Sequence, residues 1–393
     1  MNHAYPGEGS SPARAGPQAV TTTTPRLYTA VILSLILLFV GTGFLASAYR
    51  TERQRRADYH FALGQKLAAE GHKAEALEQY RTSLSIVPST PQYELALTLA
   101  LVDLGRLDEA QSHLQELLQK DPTNGLLNLT MARVSAREGL VDDAITYYHR
   151  AIYGLWPAKP IQNRIDTRFE LVAYIAKTGT HQQLVAELVQ LQSDLPDDPA
   201  LKQRVAGLFL TAGSPRQAAD LYREVVRAQP RNAVAWAGLG EALFGQSDYP
   251  GAQLAFRRAT ALHAGDPNLK ARLTWVNEYL GLDPMADRLS VSERYRRSQG
   301  LVELTLASLN ACLDRSDAPA SDPVQTLIDS AQKTLVAHRR VRNYEQAADD
   351  SLTMSEQLWR AKQASCPEAP GTGTPLAALM MRLARPAAPV NNN

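Results

Sequence analysis

The chain has 393 residues, 45% hydrophobic and 21% charged, with 41 lysines and arginines against 40 aspartates and glutamates. That near-neutral balance excludes a dedicated nucleic-acid binder, whose phosphate contacts need a basic face. Two cysteines, Cys312 and Cys366, exclude a multi-bridge disulfide framework and a thiolate metal site. The length allows two or three domains.

Residues 1–26 are rich in proline, glycine, serine and threonine, with too little apolar surface to fold, and are expected to be disordered. Leu27 to Tyr49 then runs for 23 residues without a charge. As a helix this measures roughly 34 Å, enough for a bilayer core of about 30 Å, so residues 27–49 are expected to cross a lipid bilayer once. Tyr28 and Tyr49 stand at its ends, where amphipathic rings favour the headgroups. Two signals disagree about the side. Arg50, Arg53, Arg55 and Arg56 behind the span favour a cytoplasmic C-terminal part. The small-residue pattern Ala46-Ser47-Ala48 favours export to the periplasm.

From Ala57 a pattern returns every 34 residues. Repeat one (57–90) has Leu63, Gly64, Gly71, Ala76, Tyr80 and Pro88; repeat two (91–124) has Leu97, Gly105, Ala110, Leu114 and Pro122. Repeat three (125–158) has Met131, Gly139, Ala144, Tyr148 and the pair Trp156-Pro157. Six residues, Lys159 to Arg164, then break the register. Repeat four (165–198) has Leu171, Gly179, Leu184, Leu188 and Pro196, with a leucine where alanine is usual. Repeat five (199–232) has Val205, Gly213, Ala218, Tyr222 and Pro230, and repeat six (233–266) has Trp236, Gly240, Ala252 and Phe256. This pattern resembles the tetratricopeptide repeat, and the chain resembles bacterial membrane-anchored members of that family.

The resemblance implies an all-α protein: a single transmembrane helix, an α-solenoid of about six helix-turn-helix repeats, and a helical C-terminal tail. Small residues would sit where helices approach closely, and aromatic residues would fill the gaps. Gly71, Gly105, Gly139, Gly179 and Gly213 would supply left-handed caps. The six-residue insert suggests a bend between two blocks of three repeats.

Beyond the repeats, residues 267–284 hold a solvating cap helix (268–280) and a linker. In the helical domain 285–366, Ser290 and Glu293 form a capping box that opens a helix to about Leu313. Asp322-Pro323 opens a long helical stretch to about Ser365. Residues 367–393 are mostly disordered in expectation, with Pro375 to Arg385 an apolar piece able to dock on the tail helices or on a partner. A return of the tail helices would join Cys312 to Cys366 in a disulfide in an oxidising compartment; the alternative is two unrelated thiols.

Chemistry-bearing motifs are missing. The eight histidines are scattered, and Gly238-x-Gly240 falls inside a repeat helix, without the strand–turn–helix setting of a phosphate loop. No catalytic residue, metal site, cofactor or small-molecule substrate is expected. Asn128-Leu129-Thr130 is a glycosylation sequon set on a repeat helix.

The resemblance places function in the groove lined by each repeat's first helix, which binds peptide segments of other proteins. By offset, the groove residues are Phe61, Gln65, Leu95, Leu99, Arg133, Arg137, Phe169, Lys177, Gln203, Leu210, Glu241 and Phe244. Arg133 and Arg137 share a helix face and, with Lys177, suggest a basic middle for an acidic ligand. The expected function is a non-enzymatic scaffold at a bacterial-type inner membrane. The competing expectation is an accessory or regulatory subunit of a membrane or envelope enzyme complex.

Overall fold

The computed structural model describes residues 24–316, 321–337, 341–366 and 373–384. Most of the expected N-terminal tail and the last nine residues lie outside the described residues. Seventeen α-helices are described, and apart from one isolated bridge between Asn124 and Leu155 no β-structure accompanies them among the described residues. The chain separates into two compact units at the Arg164/Ile165 junction, within the region where the repeat register breaks.

The first unit opens with α1 (Thr24–Ala69), a single helix of 46 residues. Its N-terminal half is the charge-free run, with no residue buried in the most apolar window; its C-terminal half is the first helix of repeat one. No turn separates the two. The partner helix is α2 (Lys73–Ile86), and the next pairs are α3 (Pro91–Asp103) with α4 (Leu107–Lys120) and α5 (Gly125–Glu138) with α6 (Val141–Ile152). The second unit holds most of α7 (Pro160–Thr178) with α8 (His181–Asp194), then α9 (Pro199–Thr211) with α10 (Pro215–Ala228), and α11 (Ala233–Gly245) with α12 (Tyr249–Leu262). The six-residue insert is therefore no loop: all but its first residue form extra N-terminal turns of α7.

Packing explains the residues that recur. Ala76, Ala110, Ala144, Ala218 and Ala252 are fully buried. A Cβ added at Gly64 would lie 2.6 Å from the Tyr80 ring, and one at Gly240 would lie 2.6 Å from Phe256. At Gly238 it would overlap the Tyr222 ring, so both glycines of the Gly-x-Gly pair serve close helix packing. Asn128 of the sequon is buried and donates to the Pro122 and Asn124 carbonyls, which ties it to the α5 N-terminus.

Gly71, Gly105, Gly139 and Gly213 adopt the expected left-handed conformation. Gly179 does not. The α7–α8 turn is instead closed by a capping box between Thr180 and Gln183, so the left-handed cap expected of Gly179 is corrected. Repeat six places Ser247 at the equivalent position with φ of 62°, a conformation glycine adopts at lower cost.

Beyond the sixth pair come α13 (Pro267–Leu282), α14 (Val291–Ser316), α15 (Asp322–Ala337), α16 (Tyr344–Ser365) and α17 (Pro375–Leu383). Helix α13 is not a solvating end cap: Val276 is buried in the core of the preceding pairs, and α14 and α17 pack against α13 and bury Tyr279. The Ser290 hydroxyl accepts from the Glu293 amide, but the Glu293 carboxylate turns to Arg296 and Arg297, so only half of the expected box forms. Those two guanidinium groups hold the Glu293 carboxyl down at about 2. The stretch from Asp322 to Ser365 is two helices, with the second capped by Asn343, whose side chain accepts from Glu345 and Gln346. Helices α14 and α16 run together as the core of the tail, and Cys312 is joined to Cys366 in a disulfide with Cα atoms 6.2 Å apart.

Candidate protein-binding surface

In the first unit, Gln65 is exposed and Leu95 and Leu99 are half-buried on α3. Phe61 leaves the groove set: it is 7% exposed, with its ring 5.8 Å from Tyr80 and 4.9 Å from Tyr93. An aromatic ring at that offset is drawn into the gap between neighbouring repeats. Arg133 and Arg137 lie on the exposed face of α5. Arg137 already donates to the Val102 carbonyl at 2.5 Å, at the end of α3, where the Gly105 amide also donates to it.

In the second unit, Phe169 is buried, with the Arg204 guanidinium 3.8 Å from its ring centre, and it too leaves the exposed set. Lys177 is exposed at the end of α7, and Leu210 is half-buried. Gln203 accepts from Asn232. Lys177 belongs to a different compact unit from Arg133 and Arg137, so neither unit by itself holds the three expected basic residues.

Near the start of the second unit lies a feature that sequence reasoning missed. Arg168 on α7 is 2% exposed and makes ion pairs with Asp194 at 2.7 Å and Glu187 at 3.5 Å. Helical spacing was the available signal, because Arg168 stands three residues after Ile165 and three and four before Leu171 and Val172, all buried on the same helix.

The most developed surface lies where α11, α12 and α13 meet. Glu241 pairs with Arg272 at 2.8 Å, and the same guanidinium sits 5.1 Å from the Phe244 ring centre. Phe244 meets Tyr249 at 5.5 Å and Trp275 edge-on at 4.7 Å. Tyr249 lies 3.9 Å from Tyr279, whose ring stacks against Trp275 at 5.6 Å. Burial pushes the Tyr279 hydroxyl up to about 12. Sequence offsets point to Glu241 and Phe244, whereas Arg272, Trp275 and Tyr279 fall in the helix expected to be a solvating cap. The spacing of Arg272, Trp275 and Tyr279 by three and four residues was the overlooked signal for a shared helix face.

Helix α17 covers this aromatic face. Ala377, Leu379 and Met380 are buried in one cluster with Tyr279, Leu301 and Trp359, and the Trp275 indole donates to the Gly373 carbonyl. Arg382 pairs with the buried carboxylate of Asp283 at 2.5 Å. The apolar piece of the tail has therefore docked on its own chain.

Profiles of the tetratricopeptide repeat match residues 101–153 and 206–267, the pairs around α4 to α6 and α9 to α12. Both compact units therefore carry tetratricopeptide repeats. It is 23% identical over 289 residues to the cellulose synthase operon protein C of Pseudomonas fluorescens, a match covering 67% of this chain and 22% of that protein. It is 21% identical over 205 residues to the antiviral innate immune response effector IFIT1 of Macaca fascicularis, covering 48% of this chain and 41% of that protein. The matches thus span less than half the length of either curated relative. Among solved structures, the C-terminal part of a repeat-containing protein from Cytophaga hutchinsonii is 16% identical, with 62% of this chain and 95% of that one covered and a TM-score of 0.43. The Pseudomonas aeruginosa protein pilF is 15% identical, with 56% and 97% covered and a TM-score of 0.37.

Proposed function

We propose that this protein is a non-catalytic scaffold, held to a membrane by residues 27–49, that binds peptide segments of other proteins on the first-helix surfaces of its repeats. The observation that carries the reading is the exposed or half-buried first-helix side chains in each unit, Gln65, Leu95 and Leu99 in the first and Lys177, Leu210 and Phe244 in the second. The anchor rests on the apolar run in α1, which continues without a turn into repeat one and would hold the solenoid close to the bilayer.

For the side, the Cys312–Cys366 bond favours an oxidising compartment such as the periplasm. It outweighs the arginines behind the span, because a large domain can be translocated regardless of flanking charge. A C-terminal reporter active only outside the cytoplasm tests this. Activity supports export, and activity of a cytoplasm-only reporter in its place rejects it.

The second reading, an accessory subunit of a membrane enzyme complex, has in its favour the likeness to a protein of a cellulose synthase operon. Co-purification in mild detergent separates the two. One stoichiometric enzyme complex supports the second reading, and a varied set of clients supports the scaffold.

A further inference from the structure

We propose that the aromatic face of α13, closed at one end by Asp283, is a docking site for a short amphipathic helix of a partner protein, and that α17 occupies it in cis. The proposal rests on the scaffold reading and names one of its sites, its ligand and its regulation.

Helix α17 behaves as a ligand would. With nine residues it is too short to hold itself helical in water, so its order comes from the surface beneath it. Its own sequence supplies the start, with Thr374 accepting from the Ala377 amide and Pro375 at the first helical position. Three kinds of contact fix it: apolar burial of Ala377, Leu379 and Met380, the indole bond to Gly373, and the ion pair of Arg382 with Asp283. Only six residues, 367–372, separate this segment from Cys366, which the disulfide fixes to α14. So short a tether gives the segment a high local concentration at its site.

The occupant is imperfect. Tyr279 and Trp359 are 1% and 3% exposed within the same cluster, and the Tyr279 hydroxyl and the Trp359 indole nitrogen have no hydrogen-bond partner. Buried donors without acceptors penalise the docked state. A partner helix keeping the apolar side chains and the arginine, and adding one acceptor side chain toward these donors, would fit the face better than α17. The partner is thus a helix with the α17 pattern of N-cap, proline, apolar residues and a basic residue in its last turn. Tethered α17 excludes it until outcompeted.

The test uses the full chain with a specific protease site replacing 367–372. A fluorescein-labelled peptide of residues 373–384 is titrated before and after the cut, with circular dichroism confirming that no helix beyond the nine residues of α17 is lost. Cutting removes the tethering advantage, so the apparent affinity for the peptide should rise at least tenfold. The R382E peptide should lose binding to this chain and regain it with D283K. Equal affinity before and after the cut would overturn the proposal, as would no binding after it or no rescue by the charge swap. Such a failure leaves the scaffold reading standing, because that reading is tested separately by cross-links from Gln65 and Leu99 in the first unit.

Discussion

The same substitution, glycine to alanine inside a helix, should change stability in opposite directions at two sites of the second unit. In open space alanine gains roughly 0.5–1 kcal/mol over glycine, because the unfolded chain loses freedom and the helix backbone is better shielded. At Gly300 on α14 an added Cβ meets nothing within 4 Å, so Gly300→Ala should stabilise by about that amount. At Gly240 on α11 the Cβ would lie 2.6 Å from two atoms of the Phe256 ring and 3.0 Å from a third. Phe256 is fully buried in the core of the unit and has no room to retreat. Overpacking of this kind costs roughly 1–3 kcal/mol, which exceeds the helix gain, so Gly240→Ala should be net destabilising by about 1–2 kcal/mol. Urea unfolding of the full chain in mild detergent, followed by circular dichroism, reads both as shifts of the midpoint. Trimming the ring with Phe256→Leu should relieve part of the Gly240→Ala cost, a coupling that a double-mutant cycle measures. Shifts of the same sign at both glycines, or no coupling to Phe256, would refute the packing argument.

Other sites give sharper single numbers. Ser247→Gly should stabilise by about 1 kcal/mol, since it relieves a left-handed serine at φ 62°; in a unit of this size that raises Tm by roughly 2–4 °C. Arg168→Ala should cost about 3–5 kcal/mol, because it strips the counter-charge from Asp194 and Glu187, and the unfolding midpoint reports it. Cys312→Ser removes a cross-link over a sequence separation of 54, for which the loop-entropy estimate is about 4 kcal/mol; thiol-specific reductant should lower the melting temperature of the parent and leave the variant unmoved. The Tyr279 pKa is raised, so its contribution is complete below the ordinary tyrosine value near 10 and is lost as pH rises toward about 12. Absorbance titration at alkaline pH should show a late-titrating tyrosine that Tyr279→Phe removes.

The solenoid was legible because its determinants repeat: an alanine in five of the six pairs, a glycine at the turn of five, and a proline two residues beyond α2, α4, α8 and α10. Periodicity names a helix face, however, and not how deep a side chain on it sits. Phe61 and Phe169 occupy groove offsets yet fill gaps between helices, where a large apolar ring gains more than it would at the surface. Gly179 carried the same letter as four left-handed glycines but not the conformation, because the neighbouring Thr180 and Gln183 supply another closure. The break between α15 and α16 follows from Asn343, a cap residue inside a stretch with no proline to mark it. The landing of α17 and the ion pairs of Arg168 depend on residues far apart in sequence. No local pattern joins Arg382 to Asp283.

The account rests most heavily on partner binding by the first-helix surface. Photo-activated cross-linkers placed singly at Gln65, Leu99 and Lys177 test it in living cells, with exposed second-helix positions Glu116 and Arg258 as controls. The account predicts discrete adducts with other proteins from the first-helix positions and none from the controls. Adducts of equal yield from both sets, or from neither, would contradict it.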